Sequence, residues 1–424
     1  MLSLADIYVA DRLRGSGRFH ETPLHFATTL NARLGIAARV HLKLELFQRT
    51  GSFKVRGAAA KIHSLTERER ARGIIAASAG NHAQGVALAA RSLGARARIV
   101  MPEYAPLTKR EATAGYGADV VLHGRTYDEA YRHALELQAR DGGSFVHAFD
   151  DETVMAGQGT IGLEVLKQLP DVAAVVCPVG GGGLIAGVAT AIKAIRPDVR
   201  VFGVQASGAD SAAQSFRAGR RIGTDSVDTI ADGIKVQQVG ERTLEAIVRH
   251  VDDIVTVDDV AICRAVLMLD EHAHLAAEPA GAAPVAALLD GALREELQAG
   301  GPIVAIVSGG NMDTFEKTRY VRRALAAERR HLRVRVRVDD RRGCSPRRMA
   351  ELFHLLADHE VNILDVTYRR DALDLPAGVV ELEALLETRG LEDAEAIMAS
   401  LDAAGFALAE APPGAAAGRG TRRP

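Results

Sequence analysis

From Val172 to Ile192 the sequence reads VAAVVCPVGGGGLIAGVATAI, 21 residues without a charge, and this stretch limits the fold more than any other. It is long enough for a helix across a bilayer. Its middle argues against one, because a helix interior loses about 3 kcal/mol at a proline and about 1 kcal/mol at each glycine, and Pro178 and Gly180–Gly183 fall there. The stretch reads instead as a buried strand, a glycine turn and the start of a helix. The pattern recurs: IIAASAGNHAQGVALAARSLG gives a short strand at Ile74–Ala77, a polar loop and a helix from about Ala83. ARIVMP, ADVVLHG, RVFGVQ and PIVAIVSGG add apolar runs between helical stretches. Such alternation predicts a parallel sheet covered on both faces, so residues 1–325 are expected to be α/β.

A chain of 424 residues suits two or three domains, and the texture changes after a basic, alanine-rich helix expected near Thr318–Arg330. HLRVRVRVDD alternates strictly, with Leu332, Val334, Val336 and Val338 on one face and Arg333, Arg335 and Arg337 on the other, which is a strand half in water. MAELFHLLADHE, VNILDVTY, GVVELEALLE, DAEAIMASLDAAG and FALA complete a βαββαβ order, a small domain with helices on one face of an antiparallel sheet. Glu381 and Glu383 are the expected cross-strand partners of the outward arginines. The Pro-, Gly- and Arg-rich end, 411–424, reads as a disordered tail.

Acidic and basic residues nearly cancel, 54 against 52, so no global field draws nucleic acid or an anionic membrane. A small neutral or zwitterionic ligand fits better. Cys177, Cys263 and Cys344 lack CxxC spacing, which speaks against disulfide and zinc frameworks and for a reducing cytoplasm. The N-terminus, with Asp6 and Asp11, carries no secretory pattern.

Ligands of open α/β sheets bind at the carboxyl ends of strands, where three loops stand out. In VGGGGLIAG the glycines let consecutive N–H groups converge on an anion at a helix start; a packing turn, or a dinucleotide fingerprint on Gly181, Gly183 and Ala186, are the alternatives. No acidic residue falls at the ribose distance, Asp198 being early. SAGNHAQG places Ser78, Asn81, His82 and Gln84 where a carboxylate or phenolic oxygen can be held. SGGN offers Ser308 as a donor to a ring nitrogen, or as an ordinary turn. With Lys54, isolated between Phe53 and Val55 in TGSFKVRGAAAKI, these groups match what pyridoxal 5'-phosphate needs: an amine, an anion cradle and partners for its ring.

KLELFQRTGSFKVRG (Lys43–Gly57), SAGNHAQG, AGQGT (Ala156–Thr160), VGGGGL, ADGI (Ala231–Ile234), EPAGA (Glu278–Ala282) and SGGN together resemble the serine/threonine dehydratases of the tryptophan synthase β-like, fold-type II pyridoxal phosphate enzymes. Residues 326–410 resemble the single ACT regulatory domain of medium-length threonine ammonia-lyases. The resemblance implies a two-lobed catalytic region, the smaller lobe at about 48–145. Lys54 would then carry the cofactor covalently, with Phe53 beside the ring. Asn81 would meet the ring hydroxyl, Gly180, Gly181, Gly182, Gly183 and Leu184 the phosphate, and Ser308 the ring nitrogen. Ser78, Ala79, Gly80 and His82 would hold the substrate carboxylate, with Glu278 near substrate or ring. The implied reaction is dehydration and deamination of L-threonine, and of L-serine. Serine racemase shares most motifs, but its second acid/base is a serine where this chain has Ala79, and its two metal carboxylates fall at Gln205 and Ser211, so no metal is expected there. A non-catalytic amino-acid sensor is the remote alternative. The resemblance further implies a homo-oligomer, dimer or tetramer, and a branched-chain amino-acid effector at the C-terminal domain, although Asp340–Pro346 departs from the family's Asp-Arg-Pro-Gly while Asn362 agrees with it.

Overall fold

The computed structural model describes residues 1–35, 39–340, 345–370 and 375–408; the expected tail at 411–424, residues 341–344 of the altered loop, and Cys344 lie outside them. The chain divides into two compact units, Met1–Tyr320 and Val321–Pro424. The position 325 expected from the texture falls inside a helix, Thr314–Ala327.

The first unit contains β1 (Leu24–Phe26), β2 (Arg39–Leu44), β3 (Ile74–Ala77), β4 (Ala97–Met101), β5 (Asp119–Leu122), β6 (Ser144–Phe145), β7 (Ala174–Pro178), β8 (Arg200–Ala206), β9 (Asp253–Val257) and β10 (Pro302–Val307). They form two sheets, ordered β1-β2-β10-β7-β8-β9 and β5-β4-β3-β6. Every pairing is parallel except β1 with β2. β3, β7 and β10 are buried along their whole length, which is why they read as unbroken apolar runs rather than alternating ones.

Five helices of this unit position the site: α1 (Lys54–Ser64), α2 (Asn81–Ser92), α3 (Glu152–Gln168), α4 (Gly183–Ile195) and α5 (Glu241–His250). α1 and α3 cross with backbones nearly touching. A Cβ on Gly157 would meet Gly57 Cα at 2.5 Å, and one on Gly57 would meet the Val154 carbonyl at 2.7 Å. Gly187 and Gly159 make the same close approach between α4 and α3. The AGQGT motif is thus a packing device: only residues without Cβ let these helices approach so closely.

The second unit has β11 (His331–Asp339), β12 (Asn362–Arg369), β13 (Val379–Glu387) and β14 (Ala407–Leu408), ordered β12-β13-β11-β14 and antiparallel. Helices Ser345–Asp358 and Leu391–Ala403 complete the βαββαβ order. Leu332, Val334, Val336, Leu382, Ala384 and Leu386 pack with Leu352, Leu356, Ile397 and Leu401 into one core. On the sheet's other side Arg335 lies opposite Glu383 and Arg337 opposite Glu381, with ion pairs of 2.7 and 3.0 Å. The alternation that separated the two faces on paper separates core from charge ladder here.

Candidate active site

Lys54 is the first residue of α1. Its amine donates to the Ala148 carbonyl at 3.0 Å and sits 5.1 Å from the centre of the Phe53 ring. Burial depresses its pKa to about 8, and only Glu278 opposes that shift. An ammonium kept from water loses solvation that its neutral form does not need.

The turn before Lys54 is fastened to the loop after β10. Phe53 N–H donates to the Ser308 carbonyl at 3.1 Å, Gly310 N–H to the Gly51 carbonyl at 2.9 Å, and Ser52 pairs with Gly309 as an isolated bridge. Beneath them runs a polar chain: Asn311 Nδ2 donates to the Thr50 carbonyl at 2.6 Å and to Asn81 Oδ1 at 2.8 Å, and Asn81 Nδ2 donates to Glu278 Oε1 at 2.7 Å. Burial pushes the Glu278 carboxyl up to about 7, against the Asn81 bond and the nearby Lys109 and Lys54. Glu278 therefore holds a proton on part of the molecules near neutrality.

α1 is also anchored from behind. Arg56, fully buried, donates to Glu45 at 2.8 Å and to Glu164 at 2.7 Å, and Lys43 reaches Glu164 at 2.6 Å. Two cations face two carboxylates, so the cluster is neutral. Burial alone would push Glu164 up, but Arg56 and Lys43 outweigh it and hold its pKa below the usual range. Arg56 and Lys43 stand within KLELFQRTGSFKVRG, so that motif supplies both the buried Lys54 amine and part of its foundation.

The glycine turn follows β7. Gly182 has φ of 93°, in the left-handed region, and α4 begins at the next residue, so the first-turn N–H groups of α4 face outward without intrahelical partners. Gly181 N-side and Gly183 have no room for a side chain: a Cβ on Gly183 would meet Phe149 Cβ at 2.9 Å, and one on Gly181 would strike the Phe149 ring. Ile234 of the ADGI loop closes over Gly180, whose added Cβ would meet Ile234 Cα at 3.0 Å. Among the described residues, Thr50 Oγ1 and Ser52 Oγ are buried without a hydrogen-bond partner. An anion cradle of backbone N–H groups, a depressed amine and two unpaired buried hydroxyls beside it are a donor set that fits pyridoxal phosphate.

The family of pyridoxal-phosphate dependent enzymes matches residues 16–309. The chain belongs to this family. It is 44% identical over 407 residues, 96% of this chain and 98% of the relative, to an L-threonine ammonia-lyase of Thermotoga maritima. The processed form of threonine deaminase isoform 2 from Solanum lycopersicum superposes with a TM-score of 0.72 at 41% identity, over 76% of this chain and 92% of that one. A maize serine racemase gives 0.71 at 35%, over 77% and 99%.

Within this family's frame, the expected residues are distributed as follows. Lys54, Phe53, Asn81, Glu278 and Ser308 gather around the zipped loops described above. Ser78 Oγ accepts the Gly80 N–H at 3.2 Å, shaping the turn into α2, and Ala79 packs its methyl against the small-lobe core. His82 is buried and its Nε2 contacts the Val146 carbonyl at 2.9 Å. Burial and the nearby Lys54 depress its pKa to about 3, against the Val146 bond. The ring is therefore neutral and donates to that carbonyl, so its Nε2 is already engaged within the fold. Gln205 Oε1 accepts the Ala213 N–H at 2.8 Å and Ser211 Oγ lies 3.3 Å from the Val236 carbonyl; among the described residues no three His, Cys, Asp or Glu side chains cluster as metal ligands. Sequence reasoning passed over the segment 146–151, which touches the amine, the glycine turn and His82 at once. Its residues, VHAFDD, mix apolar and polar types and carry no glycine signature.

Proposed function

We propose that this enzyme dehydrates and deaminates L-threonine to 2-oxobutanoate and ammonia, and acts on L-serine to give pyruvate by the same steps. The observation that carries the proposal is the amine of Lys54, buried, depressed to about 8, and bonded to Ala148 while the next residue, Phe149, packs on the glycine turn. Full-length similarity to an L-threonine ammonia-lyase supports threonine as the substrate.

Lys54 holds the coenzyme through its amine, and Gly180–Gly183 with Leu184 hold the phosphate on backbone N–H groups at the start of α4. Asn81 meets the ring hydroxyl and Ser308 the ring nitrogen. When bound, pyridoxal phosphate supplies a conjugated ring that accepts the electron pair left as the substrate Cα–H bond breaks. The Lys54 amine, neutral in a useful fraction because of its depressed pKa, would take that Cα proton. Ser78 and the N–H groups of residues 79–81 orient the carboxylate. Glu278, pushed up to about 7, keeps a proton beside Asn81 and so tempers charge at the ring hydroxyl side. Departure of the β-hydroxyl as water, followed by hydrolysis, releases the 2-oxo acid and ammonia.

Borohydride reduction of the loaded enzyme followed by peptide mapping places the label on Lys54, and the loaded enzyme releases 2-oxobutanoate and ammonia in equal amounts from L-threonine. A label on any other side chain, or threonine left unchanged, overturns the proposal. Feedback control by a branched-chain amino acid is proposed from the resemblance of the antiparallel second unit to an ACT regulatory domain; titrating the threonine rate with isoleucine and valine checks this, and a flat response to both rejects it.

A further inference from the structure

The segment between β6 and α3 binds to nearly every wall of the site. Val146 carbonyl holds the His82 ring at 2.9 Å, and Ala148 carbonyl holds the Lys54 amine at 3.0 Å. Phe149 lies against Gly181 and Gly183. Asp150 accepts the N–H groups of Glu241, Arg242 and Thr243 at 3.2, 2.9 and 3.2 Å, capping α5. Asp151 accepts those of Thr153 and Val154 at 2.9 and 3.1 Å, capping α3, and pairs with Lys61 of α1.

One side chain bends this segment. His147 Nδ1 accepts two backbone N–H groups, from Phe149 at 3.2 Å and Asp150 at 2.8 Å, so its proton resides on Nε2. The two bonds fold residues 147–150 into a turn that sends the Ala148 carbonyl toward the amine and the Phe149 ring toward the glycines. The His147 ring also stands edge-on to Phe149, with centroids 4.7 Å apart and planes at 88°. We propose that His147 is a positioning residue: as a neutral acceptor it sets the 146–151 turn that couples the Lys54 amine to the phosphate cradle.

Charged and titratable groups approach His147 from each neighbouring element: Lys54 from α1, His82 from α2, Tyr131 from helix Tyr127–Asp141, Arg242 from α5, and Asp150 and Asp151 from its own segment. Burial lowers its pKa, Asp150 and Asp151 oppose that, and Lys54 and Arg242 add to it. The ring is thus unprotonated at neutral pH, as the two accepted bonds require. A proton on Nδ1 would face both N–H donors and open the turn.

The inference rests on Lys54 being the coupled amine, a reading that the borohydride label tests by itself. Here two readouts besides turnover apply: the coenzyme dissociation constant from fluorescence titration, and the pH profile of Lys54 acylation in coenzyme-free enzyme, read by peptide mass. His147→Leu removes the acceptor and is expected to raise the dissociation constant about tenfold, since two hydrogen bonds are lost, and to move the acylation profile to higher pH as the amine regains water. His147→Asn keeps an acceptor oxygen and restores both readouts. It is also expected to reduce the loss of coenzyme affinity predicted for the unsubstituted enzyme as pH falls below the ordinary histidine range, a comparison that stands even if His147→Leu does not fold. A His147→Leu enzyme within about twofold of the original in affinity with an unmoved acylation profile overturns the inference. So does a His147→Asn enzyme whose acid limb matches the original.

Discussion

Glu278 offers a test in which a functional group should weaken the protein that carries it. The carboxyl is 8% exposed and its pKa is pushed up to about 7 by burial, against about 4.3 in an unfolded chain. A carboxyl with a raised folded pKa keeps its proton in the folded state over a range where the unfolded chain has lost it. Stability therefore falls as pH rises from about 4.3 to 7 and is level beyond that. At 1.36 kcal/mol per pKa unit the full effect is about 4 kcal/mol above pH 8, and it shrinks to about 2 kcal/mol near pH 5.5. Glu278→Gln keeps the shape and the oxygen that accepts from Asn81 at 2.7 Å while removing the ionisation. Urea unfolding of the coenzyme-free protein should thus find the variant more stable by about 4 kcal/mol at pH 8.5 and by about 2 kcal/mol at pH 5.5, with threonine turnover reduced at both. An advantage that does not change with pH, or a variant less stable at pH 8.5, would show that the carboxyl is not carrying a buried charge and would remove the reasoning that gives it a proton near neutrality. The expected gain in stability with loss of activity is the signature of a strained functional group rather than of a structural carboxylate.

The cluster behind α1 should behave in the opposite way. Glu164→Gln leaves Lys43 and Arg56 facing Glu45 alone inside the protein and is expected to cost about 3 to 5 kcal/mol, read as a lower urea midpoint at unchanged slope; a loss under about 1 kcal/mol would mean that water reaches the cluster. Ala79 cannot carry a proton, so L-serine should yield pyruvate with negligible D-serine by chiral chromatography, and D-serine formed at a comparable rate would locate a second acid/base elsewhere.

Much of this architecture was legible because its signals are local. β3, β7 and β10 are buried on both faces, so their apolar runs stand out in any window, and the charge alternation of β11 declares which of its faces is wet. Gly182 could be read too, since a left-handed φ after a strand leaves few residue types to choose from. AGQGT was recognisable only as part of a resemblance, and its reason is distant: Gly157 is small because Gly57, a hundred residues earlier, passes beneath it. The buried quartet was hidden for a similar reason. Lys43, Glu45 and Arg56 look like ordinary surface charges until Glu164 arrives from α3 to neutralise them, and no period or spacing relates those positions.

The same distinction explains why 146–151 escaped notice although it touches the Lys54 amine, the glycine turn and His82. Its work is done largely by backbone groups, the carbonyls of Val146 and Ala148 and the N–H groups of Phe149 and Asp150, and backbone chemistry leaves no mark on residue identity. Of the side chains that do act, Asp150 meets the start of α5 and Asp151 meets Lys61 of α1, partners near in space and far in sequence, while His147 binds N–H groups of its own segment. Residue types in the glycine turn are forced by geometry, whereas at His147 the geometry asks only for a hydrogen-bond acceptor facing two N–H groups. A segment whose function lies in where it sends its carbonyls can be found only when the fold shows what those carbonyls meet, and in this chain one of them meets the amine on which the chemistry depends.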